Sequence, residues 1–205
     1  MKILDPHGMI PKLGAEFGTF KDPRDGKEYP TVKIGGIEWF RDDLDYDDRE
    51  DYTGGMGDFF PGLHVPSYKE EGSSRFYGFD EAKHACPDGW EIPSRSDWID
   101  LFRIITDNKA VYEWREKERH LIYQTLVGKN SLLRIKLNGN YTEKGEFFWQ
   151  KNKFNHKGTR GYYWSRTEGA LNNGGACFIF RKQEADYAEE VFYEFCAARP
   201  IKKNI

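Results

Sequence analysis

Several things are scarce in this sequence. Its 205 residues hold only 3 cysteines, 3 methionines and 9 prolines, and neither a long apolar run nor an excess of positive charge. Crossing a bilayer takes about 20 consecutive apolar residues, so no membrane span is expected, and a mean hydropathy of −0.81 suits a soluble chain. The 31 basic side chains are outnumbered by 34 acidic ones, giving a formal net charge of −3. Binding along a phosphate backbone needs the opposite balance, so general nucleic-acid binding is not expected. Cys86, Cys177 and Cys196 show no Cys-x-x-Cys spacing and no histidine in a zinc-ligand register beside them, which disfavours a zinc site. Two arrangements stay open for them: one disulfide with a spare thiol in an oxidising compartment, or three reduced, buried thiols. No signal peptide is visible, because Asp5-Pro6-His7-Gly8 follows the first four residues before any apolar stretch develops. A chain made without an export segment and one that has lost it would look alike here.

What is plentiful is aromatic: 6 Trp, 12 Tyr and 15 Phe, 16% of the chain. That is enough bulky apolar surface to offset the entropy of folding, and the length suits one domain with an appendage. Residues 1–16, with Pro6, Gly8, Pro11 and Gly14 and no hydrophobic period, are expected to form an extended arm lying on the body or on a partner. Short strands follow, turned by Pro23 and Asp25-Gly26, and Thr31-Val32-Lys33-Ile34 and Ile37-Glu38-Trp39-Phe40 flank Gly35-Gly36 as a half-buried antiparallel pair would. Residues 42–51 hold seven carboxylates, Asp42, Asp43, Asp45, Asp47, Asp48, Glu50 and Asp51. They lack the spacing of a calcium-binding EF-hand loop, and a solvated acidic loop is the expectation. The glycine-rich stretch 52–74 continues as a long loop. A short helix is expected over 79–85. A second starts at Ser94, capped with Asp97 three residues on, and buries Trp98, Leu101, Phe102 and Ile105 at helical spacing. A third, charged helix spans about 110–127. Strands return at 131–137, ending in the hairpin signal Asn138-Gly139-Asn140, then at 146–149, 161–166, 176–181 and 190–197.

Several of these words occur together in a known order. Gly18-Thr19-Phe20-Lys21-Asp22-Pro23-Arg24-Asp25-Gly26-Lys27, Thr31-Val32-Lys33-Ile34-Gly35-Gly36, Ala85-Cys86-Pro87-Asp88-Gly89-Trp90, Ile92-Pro93-Ser94, Asp97-Trp98, Tyr163-Trp164-Ser165-Arg166-Thr167-Glu168 and Cys196 resemble the Fibrobacter succinogenes major paralogous domain over roughly residues 17–203. The resemblance implies an α+β, C-type lectin-like fold related to that of the formylglycine-generating enzyme: a mixed, mostly antiparallel sheet, two or three helices and long irregular loops. It implies one domain over 17–205 behind the 1–16 arm, with insertions near 49–74 and 107–150. It also implies a Cys86–Cys196 bridge tying the helical region to the last strand, with Cys177 alone. Similar domains look like surface or secreted modules of Bacteroidetes and receptor-binding proteins of phages, so an extracellular, cell-surface or virion location is favoured.

The resemblance does not bring an enzyme with it. The oxygenase relative needs neighbouring cysteines for copper, and Cys177 and Cys196 are far apart in sequence. The histidines are scattered, and neither a Gly-x-Ser-x-Gly elbow nor a phosphate-cradling glycine loop occurs. We therefore expect no catalytic residues, no metal and no cofactor. Calcium lectins of this fold use Glu-Pro-Asn or Gln-Pro-Asp with Trp-Asn-Asp, words missing here, so binding is expected to be calcium-independent. Candidate ligand-binding residues are Arg166, Glu168, Asn172, Asn173 and Arg181 around the loop after β-strand residues 163–165, with Trp114 and Trp149 from the insertions, whereas Trp39, Trp90, Trp98 and Trp164 are expected in the core. The expected function is recognition of a glycan or surface protein through the loop face. The alternative is a structural component of a phage or injection-type particle, or a homo-oligomer, anchored through residues 1–16.

Overall fold

The computed structural model describes residues 8–47, 67–69, 74–142, 153–168, 175–182, 184–189 and 194–203. The chain opens with a helical turn, α1 (Met9–Lys12), and runs into β1 (Glu16–Lys21), β2 (Glu28–Ile34) and β3 (Ile37–Phe40). These strands form an antiparallel meander that β12 (Ile201–Lys203) completes beyond β3. The β2–β3 hairpin turns on Gly35 and Gly36, both at positive φ (57° and 84°), a conformation that side chains with a Cβ resist.

The second sheet is assembled from distant parts of the chain in the order β10-β9-β8-β11-β5-β4. Its strands are β4 (Ser67–Lys69), β5 (Arg75–Tyr77), β8 (Arg160–Glu168), β9 (Gly175–Arg181), β10 (Glu184–Glu189) and β11 (Glu194–Ala197). All neighbours are antiparallel except β11 and β8, which run parallel. A small ribbon, β6 (Asn140–Thr142) with β7 (Lys153–Asn155), attaches to β11. The architecture is thus α+β, as expected.

Three helices complete the body: α2 (Phe79–His84), α3 (Arg95–Ile105) and α4 (Glu116–Leu126). Helix α3 has the expected cap, in which Ser94 and Asp97 exchange side-chain and backbone hydrogen bonds, and it buries Trp98, Leu101, Phe102 and Ile105. Trp98 is the hub of the larger core, with its ring against those of Trp39, Phe102, Tyr163, Phe178 and Phe180 at 4.9–6.4 Å. The smaller core packs Tyr29, Phe40, Trp90, Trp164 and Ile179 with all three cysteines.

Asp97 links this cap to pH. Burial would raise its pKa, but hydrogen bonds from Ser94 and Lys203 outweigh that and hold the carboxyl below its ordinary value. A carboxyl depressed in the folded state contributes stability above its unfolded pKa of about 3.9, and that contribution is lost as pH falls through the folded value. Asp97→Asn is therefore expected to cost about 1 kcal/mol at pH 7. It should also lose less stability than the parent between pH 6 and pH 3, by urea midpoints at both pH values. Equal pH dependence in the two proteins would contradict this.

Three expectations change. The 1–16 segment is not extended throughout: α1 folds back, Leu13 is buried in the larger core, and Lys12 reaches Asp107 at 2.7 Å. Residues 1–7 lie outside the described part. Residues 131–137 form no strand: Arg134 takes a left-handed backbone (φ 51°), which a strand does not accommodate, and only the bridge Val127–Ile135 is ladder-like. The proposed partner strand at 146–149 lies outside the described residues. The third helix, expected over about 110–127, is shorter: α4 starts only at Glu116, and the segment 107–142 supplies core through Trp114, Ile122, Leu126, Leu132, Leu133 and Ile135.

Candidate functional site

The acidic run is less solvated than its composition suggests. Asp42 pairs with Arg134 at 3.1 Å, Asp45 meets Lys27, Lys69 and Arg75, and Asp47 meets Arg75. Asp43 is buried and pairs with Arg199, which is fully buried. Each of these carboxylates is held by a cation from elsewhere in the chain, so the run acts as a tie between segments. Asp48, Glu50 and Asp51 lie outside the described residues.

Arg199 occupies the link between β11 and β12, where the chain leaves one sheet for the other. Its guanidinium also donates to the carbonyls of Leu133 (2.8 Å) and Phe40 (3.3 Å). Arg41, just past β3, donates to the carbonyls of Leu132 (2.8 Å) and Ser131 (3.0 Å). Asp43 accepts from Ser74, whose hydroxyl accepts from Asn138 at 2.6 Å. Tyr163 donates to the Lys136 carbonyl and accepts from the Lys136 N–H. Residues 131–138 therefore find in buried arginines and side-chain hydroxyls the partners a strand ladder would otherwise supply, as buried backbone polar groups require. An irregular segment is in this way fixed in one shape.

That shape makes a groove. Between the C-terminal half of α4 and residues 134–137 lies a cavity of about 560 Å³ walled by Tyr123, Val127, Ile135 and Leu137, with Lys129, Arg134, Lys136 and Asp42 around it. Its floor is closed by the hydrogen bonds Ile135 N–H to Leu126 and Gly128 N–H to Ile135, both 2.9 Å. Arg134 is placed by a left-handed backbone (φ 51°) and by its N–H to the Ser131 hydroxyl. The local field is positive: Arg41 is brought down to about 10, first by burial and then by repulsion from Arg134, with Asp42 opposing. Ligand sites of a few hundred Å³, mostly apolar with a few convergent polar groups, have this make-up.

Of the residues expected on one loop face, Arg166 and Glu168 lie at one end of the β8–β9 hairpin and Arg181 at the other. Arg166 is exposed near the end of β8, 3.6 Å from Glu91, with its N–H bonded to the Pro93 carbonyl, and Glu168 pairs with Gly175 where the β8–β9 hairpin opens into its loop. Arg181 is at the other end of the same hairpin, opposite Arg160. Six residues of strand, about 20 Å, separate Arg160 from Arg166. Trp114 is no platform: it is buried against the Phe102 ring at 5.7 Å and donates its indole N–H to the Lys109 carbonyl. Trp39, Trp90, Trp98 and Trp164 are in the core. Asn172, Asn173 and Trp149 lie outside the described residues.

The implied Cys86–Cys196 bridge is not formed. The Cys86 thiol turns back on its own helix to donate to the Ala82 carbonyl at 3.4 Å, and burial pushes it up to about 12. Cys196 sits within β11 opposite Tyr77.

The fold and groove define an α+β domain in which a two-sheet scaffold fastens an irregular segment beside a helix. The Fibrobacter succinogenes major domain matches residues 32–196, from β2 through β11 and including the whole groove, and the chain belongs to this family. No curated protein and no solved structure matches it. The groove residues Asp42, Tyr123, Lys129, Arg134 and Lys136 were missed from sequence. Their one signal is the unusual company of Leu132-Leu133, Ile135 and Leu137 with Arg134 and Lys136, an apolar run broken by cations.

Proposed function

We propose that this domain is a non-catalytic recognition module of a bacterial cell or particle surface, binding a glycan or protein ligand through the groove between α4 and residues 134–137. The observation that carries the reading is the groove itself: an apolar cavity of about 560 Å³ whose irregular wall is held rigid by buried Arg41 and Arg199. Shape fixed before binding reduces the ordering cost of association. A binding rather than reacting role is supported by the polar groups around the groove, where Asp42 is already paired with Arg134 and the others are Lys129, Lys136 and the Tyr123 phenol. Calcium independence is supported by the commitment of Asp42, Asp43, Asp45 and Asp47 to Lys and Arg partners.

The test is a glycan-array and peptide-binding screen on folded variants. Leu137→Trp, which fills the groove, is expected to weaken any hit at least about tenfold, or 1.4 kcal/mol, with the melting temperature kept. Arg166→Ala combined with Glu168→Ala should leave it unchanged. The reverse pattern would move the site to the β8–β9 loop and sink the groove.

A second reading, an assembly component, is favoured by β1, an edge strand exposed along nearly all its length, with Phe17 43% exposed. Edge strands of this kind are templates for strand addition. Loss of oligomer or particle incorporation on Thr19→Pro, with Leu137→Trp unaffected, would shift the weight to that reading.

A further inference from the structure

Building on the recognition reading above, we infer that the occupant of the groove is a segment of a partner protein that carries an aliphatic or aromatic side chain beside a carboxylate. Two properties of the groove point there. Its walls include the aliphatic side chains of Val127 and Leu137 and the Tyr123 ring, a surface that gains by covering another apolar side chain. A sugar hydroxyl needs a directed partner to replace water, and the one carboxylate at the rim, Asp42, is taken by Arg134.

The second property is charge. Lys129, Arg134 and Lys136 stand around the groove with Asp42; Asp42 is paired with Arg134, and Asp43, 3.9 Å from Lys136, is taken by buried Arg199, which leaves an excess of positive charge on a chain whose net charge is −3. Lys129 and Lys136 are exposed, and they follow the two residues, Val127 and Ile135, that bridge across the floor. An apolar anchor seated on that bridge would have cations within reach, so a neighbouring carboxylate is favoured and a lysine or arginine is repelled. Complementarity of this kind selects the partner and raises the association rate. The anchor supplies area and the carboxylate supplies register, as in other peptide-groove interactions.

A random 12-residue peptide display selection on the full chain tests this, followed by polarisation binding of the enriched peptides. The expected result is enrichment of Leu, Ile, Val or Phe within two residues of Asp or Glu. Binding should fall at least about tenfold, or 1.4 kcal/mol, in Lys129→Glu plus Lys136→Gln, and weaken with added salt. Both lysines are exposed, and Gln sets no new charge beside Asp43, which is 3.9 Å from Lys136, so that variant should keep its fold, checked by circular dichroism. Enrichment of neutral or basic peptides, or equal binding by the variant, overturns the inference. Self-association abolished by the same variant also overturns it, by making the chain's own acidic run the occupant. Uronic-acid oligosaccharides binding through the groove while peptides do not would overturn the inference and leave the recognition reading standing. Failure of both peptides and glycans to bind the parent groove would remove the two together.

Discussion

Arg199→Met is expected to cost about 3–5 kcal/mol, the range for leaving a buried charge without its partner. The side chain is fully buried, paired with Asp43, and donates to the carbonyls of Leu133 and Phe40. Met fills a similar volume but strands the Asp43 carboxylate and two carbonyls. Asp43 keeps Ser74 as a hydrogen-bond donor, and Lys136 is 3.9 Å away. Adding Asp43→Asn removes the stranded charge, so the double variant should recover part of the loss, with a coupling of roughly 1–3 kcal/mol by double-mutant cycle. Chemical denaturation of the parent, both single variants and the double variant measures this. Amide exchange at residues 132–135 should accelerate more than in the β8–β9 ladder, because the carbonyls that Arg199 holds belong to the groove wall. A single variant as stable as the parent would show that the pair merely tolerates its burial.

The second large effect belongs to Trp98→Ala, expected to cost about 3–5 kcal/mol as a large-to-small change in a packed core. Trp98 is fully buried at the contact of α3 with both sheets: Trp39 comes from β3, Tyr163 from β8, and Phe178 and Phe180 from β9. Its removal opens a cavity between α3 and strands of both sheets. Trp98→Phe should cost much less. It keeps most of the ring contacts, and the indole N–H it discards is buried without a hydrogen-bond partner among the described residues. Calorimetric melting temperatures in the order parent, Trp98→Phe, Trp98→Ala check the claim. A Trp98→Ala protein that melts with the parent would mean that this core collapses around the loss.

What could be read from the sequence was whatever short-range chemistry decides. The Gly35-Gly36 hairpin, the Ser94–Asp97 cap and the apolar face of α3 are each settled by residues within a few positions of one another. Trp98 followed from the helical period of α3, and the division into four core tryptophans and two others came with the family resemblance. The groove was hidden because its shape depends on Arg41 and Arg199, whose partners lie about 90 and 66 residues away. Nothing beside either arginine in the chain announces those carbonyls. Trp114 was misplaced because the resemblance assigned it to an insertion; it stands just before α4, in one core with Ile122 and Leu126, and the Phe102 ring against it is on another helix. The cysteine pairing came from likeness rather than from chemistry, and the helix-directed thiol of Cys86 overturned it.

The stretch 194–203 belongs to both sheets at once: β11 lies between β5 and β8, and β12 borders β3 at the edge of the other sheet. Arg199 within it reaches Phe40 across 159 positions of chain. Closing so long a loop costs entropy before any contact repays it, and folds dominated by distant pairings form slowly. Until this stretch docks, β3, β5 and β8 each lack a neighbour, and the intermediate offers bare strand edges to other copies of itself. The arrangement that makes the finished domain rigid thus makes its assembly the step most exposed to aggregation.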